Sequence, residues 1–141
     1  MRPAFGFLLA SLLALSACLL PSARPVAYQP HPERVSDPLA VLRKAARSHC
    51  ERGTQVELLP GKVRYTSACS TGCDGAPKPA DIELTGLSDV HIVFGDWYQV
   101  VLVRHGEEQY LSELACDTSE EAAEVADALL ALRSAAPRPP R

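Results

Sequence analysis

The chain has 141 residues, enough for one hydrophobic core and too few for two. Its composition is 47% hydrophobic and 22% charged, which excludes a chain too polar to fold. A formal net charge of -3 excludes the broad basic field that draws proteins to nucleic acid, so no nucleic acid is expected among its partners.

The first eighteen residues read as an address. Arg2 precedes an apolar run from Ala4 to Leu15 that is too short to cross a bilayer as a helix, and the small residues Ser16 and Ala17 follow. That layout predicts a signal peptide over residues 1–17, removed from the mature protein. Leu15-Ser16-Ala17-Cys18 resembles the lipobox of bacterial lipoproteins at all four of its positions. The resemblance implies cleavage before Cys18, a thioether-linked diacylglycerol on its sulfur, and an acyl chain such as palmitate on its new amino group. Two or three chains hold a protein on a membrane where one binds marginally, so the membrane is an expected partner, through Cys18. Leu19 stands where an inner-membrane retention signal would place Asp; by the same resemblance the protein belongs on the outer membrane, facing the periplasm.

Residues 18–36 are expected to form a lipidated tether, because Pro21, Pro25, Pro30 and Pro32 interrupt a stretch without apolar period. A single domain is then expected over residues 37–134. Asp37 can cap a helix with Pro38 at its first position, and Leu39, Leu42, Ala46 and Cys50 share one face up to Gly53. The period then falls to two. Val56 and Leu58, the turn Pro60-Gly61, and Val63 and Tyr65 predict a hairpin, followed by a surface loop over residues 67–80 that is rich in Gly and Pro. Ile82 and Leu84, then Val90 to Phe94, then Trp97 to Val103 predict further strands, the last of them central because Val100, Val101, Leu102 and Val103 are continuous. Tyr110, Ser112, Leu114 and Cys116 fall on one side of a final strand. Thr118 and Glu121 stand at capping-box spacing before a second helix, whose stripe is Ala122, Val125, Ala126, Leu129 and Leu132. Residues 135–141 are expected to be a disordered tail.

Together these elements predict an α+β fold: an N-terminal helix, one antiparallel curved sheet of five to six strands, and a C-terminal helix packed on the sheet. From Trp97 to Leu132, a strand with a Trp- and Val-rich centre leads into an acidic-start, Ala/Leu-striped helix. In that order the second half resembles pleckstrin-homology-like bacterial domains, a likeness of fold that carries no activity with it.

With Cys18 lipidated, four cysteines remain, an even number in an exported chain. Three pairings are possible; the favoured one closes Cys69 with Cys73 in a small ring and joins Cys50 to Cys116. No metal and no other cofactor are expected. His49, His91 and His105 have no spacing that ties them to the thiols, and Asp89, Asp96, Glu107, Glu108 and Glu113 are explained as acids at turns and on solvent faces. Trp97, Tyr98 and Tyr110 are read as core aromatics in preference to a ligand-contacting cluster. Without a nucleophile elbow, a phosphate loop or a metalloprotease helix, the chain is read as no enzyme. The expected function is a lipid-anchored envelope lipoprotein whose disulfide-stabilised domain binds an envelope protein or supports a structure. Two alternatives stand beside it: a thiol-redox or metal-binding module built on Cys69 and Cys73, and a small-ligand-binding domain with a pocket between sheet and helix.

Overall fold

A computed structural model of the chain describes residues 23–49, 55–71, 77–111 and 114–135. Among them run β1 (Arg24–Val26), α1 (Pro38–His49), β2 (Gln55–Leu59), β3 (Lys62–Thr71), β4 (Pro77–Glu83), β5 (Leu87–Phe94), β6 (Tyr98–Arg104), β7 (Glu107–Tyr110) and α2 (Ser119–Ala135), with a 3₁₀ turn at Pro32–Arg34. The class is α+β, as the sequence predicts. The strands, however, divide into two antiparallel sheets where one curved sheet was expected, in the orders β1-β5-β6-β7 and β2-β3-β4. The division falls between β4 and β5. There the Leu84 and Thr85 N–H groups both donate to the Gly61 carbonyl, at 2.9 and 3.2 Å, and the Leu87 N–H donates back to Leu84 at 3.2 Å. The ladder therefore closes on the β2–β3 turn and does not pass into the next strand. Gly61 holds φ at +73°, and a Cβ there would lie 2.6 Å from the Thr85 hydroxyl, so the position suits glycine on both counts.

Two segments expected outside the sheets belong to them. Residues 24–26 pair with β5 in the register Arg24 to Phe94, Pro25 to Val93 and Val26 to Ile92. Pro25 has no N–H to donate, and it is accommodated because β1 is an edge strand. Residues 24–26, expected to be tether, are thus a strand of the larger sheet. The loop expected over residues 67–80 is likewise mostly strand: β3 and β4 pair from Lys62–Glu83 to Thr71–Pro77, with a register shift between Ser67 and Thr71. Here too the prolines, Pro77 and Pro79, sit on an edge strand. The final strand is shorter than its alternation implied. It ends at Tyr110, after which Leu111, Leu114, Ala115 and Cys116 are all buried and Cys116 forms an isolated bridge with Tyr98.

α1 begins as expected, with the Asp37 carboxylate accepting from the Ala40 N–H at 3.0 Å. It packs on α2 and β2, while α2 packs on β5 and β6. α2 therefore lies between the four-stranded sheet and α1. That explains why its buried set widens from the predicted stripe to include Ala128 and Leu130. Val100, Leu102, Val125, Leu129 and Leu42 are at most 1% exposed, and Val63 and Ile82 of the smaller sheet, with Leu84 just after it, join the same core.

Candidate functional site

Of the five cysteines, the one expected to carry lipid and the four expected to pair, one has a described side chain. Cys18, Cys50 and Cys73 lie outside the described residues, and Cys69 falls within β3 with its side chain outside them. Cys116 is described: its thiol is free, buried, and donates to the Leu114 carbonyl at 3.2 Å. Burial first, then the Glu121 and Asp117 carboxylates, push that thiol up to about 11, so at neutral pH it is protonated and a poor nucleophile. Cys116 borders a cavity of about 50 Å³ with Val41, Lys44, Ala45, Glu121, Glu124 and Val125, at the junction of α1 and α2. That volume holds water and is far below the several hundred Å³ of a small-molecule site.

The sheet brings together residues that the sequence kept apart. His91 on β5 comes within 3.5 Å of the Glu108 carboxylate on β7, and the Tyr110 hydroxyl donates to the same carboxylate at 3.3 Å. The three are substantially exposed to solvent, where an ion pair is weak, and Glu108 also borders an open recess of about 310 Å³ with Arg104, His105, Glu107 and Gln109. Among the described residues, no three of His, Cys, Asp or Glu stand close enough to hold a metal. A shallow groove of about 450 Å³ runs between Arg34, Asp37, Ala40 and Val41 on one side and Glu124 and Asp127 on the other, and opens to solvent along its length.

The N-terminal segment is fastened to α2. The Tyr28 hydroxyl donates to the Asp127 carboxylate at 2.6 Å, and the His31 backbone N–H donates to the same oxygen at 2.8 Å. Burial, and then the bond to Asp127, raise the Tyr28 phenol far above its ordinary value and keep it a donor. No periodicity announces this clasp, since its partners are 99 and 96 residues apart; a lone Tyr in a proline-rich stretch is the one signal available.

The aromatics correct the sequence reading. Trp97 and Tyr110 are each 47% exposed, and Phe94 is 39% exposed, so the first two are not core residues. Phe94 and Tyr98 face each other across the β5–β6 hairpin, with ring centroids 4.6 Å apart. The Gly95 N–H donates to the Trp97 carbonyl at 3.1 Å, closing a three-residue turn that carries Trp97 at its end. Since Arg24 is the register partner of Phe94 and β1 is antiparallel to β5, the chain preceding Arg24 meets the sheet at this hairpin tip and not at its far end. No helix among the described residues is long and apolar enough to cross a membrane. Comparison of the chain with protein-family models, with curated proteins and with solved structures returned no match.

Proposed function

We propose that the protein is a lipid-anchored lipoprotein of the cell envelope, held through Cys18 on the periplasmic face of the outer membrane, whose domain serves as a non-catalytic binding or structural module. The observation that carries this reading is the position of the lipobox cysteine six residues before the first residue of the paired sheet. Six residues reach at most about 20 Å when fully extended, so an anchor at Cys18 would hold the domain against the membrane surface. Stapling of the domain by Cys50–Cys116 and Cys69–Cys73 belongs to the same proposal. The Cys116 thiol, free in the structure, would form the first of these bonds on oxidation, with Cys50 lying outside the described residues.

The test is Cys18→Ser. The variant should lose the lipid-modified N-terminal peptide and leave the membrane fraction, and recovery with membranes undiminished would refute the anchor. Crosslinking in intact cells, followed by identification of the adduct, then tests for an envelope protein partner. A thiol-redox or metal module on Cys69 and Cys73 is the second reading. Four blocked cysteines and no bound metal in oxidised protein would dismiss its metal form, and slow exchange with a reducing thioredoxin-type partner would dismiss its redox form.

A further inference from the structure

We infer that the β5–β6 hairpin tip, through Trp97 and Phe94, is a second membrane contact that seats in the headgroup boundary of the leaflet holding the Cys18 lipid. The inference rests on the anchor proposed above and adds the surface by which the domain meets the bilayer.

Where the chain enters the sheet selects the occupant. Arg24 is paired with Phe94, the last residue of β5, and adjacent strands lie only about 4.8 Å apart. Trp97 follows Phe94 by three residues on the same turn. With at most about 20 Å of chain between Cys18 and Arg24, against a headgroup layer roughly 6 Å thick, the tip can stand no more than about 15 Å beyond that layer and stays within immediate reach of the headgroups. The end of the domain nearest the anchor is thus the end that exposes two large aromatic side chains. Tryptophan is favoured at this depth because its ring is apolar while its indole N–H can still find a hydrogen-bond partner. The remaining large exposed hydrophobic side chains among the described residues are Leu58 on β2 and Tyr110 on β7, the latter level with Val101, three residues along β6 from the turn.

Charge does not supply the attraction. Arg24 stands at this end against Asp96 in the turn and Asp117 beside the Tyr98–Cys116 bridge, so the tip has no basic patch for anionic lipid. Contact should therefore form on zwitterionic lipid and resist salt.

Trp97 is the chain's single tryptophan, so its fluorescence reports this tip alone. The experiment takes the lipidated protein in phosphatidylcholine vesicles, with and without a lipid brominated near the headgroup, and compares it with Cys18→Ser in solution. The inference expects a blue-shifted Trp97 emission, several-fold stronger quenching by the brominated lipid than in the soluble variant, and little change on adding salt. Anchored protein whose Trp97 emits as in water and stays open to a soluble quencher overturns the inference while leaving the anchor intact. Protection of Trp97 in native envelopes but not in pure lipid also overturns it, and assigns the tip to a protein partner. A chain that carries no lipid by mass and does not enter the detergent phase overturns both proposals.

Discussion

Asp81 accepts from Arg64 Nε and Nη2 at 2.7 and 3.0 Å and from Lys62 Nζ at 2.7 Å, joining two residues of β3 to one of β4. The bonds from Arg64 first, and then from Lys62, hold this carboxyl well below the usual carboxylate range. A lowered folded-state value means that the contribution is complete above the unfolded value of about 3.9 and is lost as pH falls through the folded one. Asp81→Asn should therefore lower the urea midpoint at neutral pH and flatten the acid limb between about pH 4 and 2. An unchanged acid limb would show that other carboxylates govern it. Cys116 supplies the opposite limb in reduced protein. Its raised value makes the unfolded chain the readier to ionise, so stability should fall as pH rises from about 8.5 towards 11, and Cys116→Ala should remove that part of the fall. A reduced chain keeping Cys116 as its only thiol should react with a thiol reagent only as fast as it opens; rapid labelling under native conditions would contradict its burial.

α2 is where local signals and tertiary packing agree. The Thr118 hydroxyl accepts from the Glu121 N–H at 3.1 Å, and the Glu121 carboxylate reaches back to the Asp117 N–H at 3.2 Å, one residue upstream of the partner that a capping box usually takes. Thr118→Ala should cost about 1 kcal/mol in chemical denaturation. Leu129 is fully buried between the larger sheet and α1, and Leu129→Ala should cost about 2–5 kcal/mol, so the ratio of the two losses measures how far packing outweighs capping in this helix. Equal losses would mean that the site relaxes around the smaller side chain. The helices were legible because their caps and periods are local: Asp37 and Thr118 cap where the sequence places them. The central strand was legible because Val100, Val101 and Leu102 admit no solvent face. What escaped were β1 and the extension of β3 and β4, where proline masks strands that lie at sheet edges, and the division into two sheets, which depends on carbonyl contacts at Gly61 rather than on side-chain pattern. The exposed tip escaped for a further reason. Composition says that an aromatic is large and apolar, while only the fold says that Phe94 and Trp97 stand at the open end of the β5–β6 hairpin with their side chains exposed.

At the scale of the whole molecule, the edge strand and the Tyr28–Asp127 clasp fix how much chain separates Cys18, the proposed site of the lipid, from the domain. Had residues 18–36 been free, the domain could have drifted far from the bilayer; pairing from Arg24 onward leaves five residues between Cys18 and the sheet. A short link raises the effective concentration of a weak second contact, and that concentration falls roughly as the −3/2 power of length once the link is long enough to span. Trp97 and Phe94 are already half covered by their own domain, so the surface they add to a membrane is small and should depend on that enhancement. Inserting about twenty Gly and Ser residues between Ser22 and Ala23 gives a coil of root-mean-square length about 25 Å, enough to let the tip leave the headgroups. The lengthened protein should stay in the membrane fraction, keep its fold by circular dichroism, and lose much of the quenching of Trp97 by brominated lipid. Quenching that survives the insertion would mean that the hairpin holds the interface by its own affinity, and that the shortness of the link, and with it the clasp on Asp127, does not set the position of the domain.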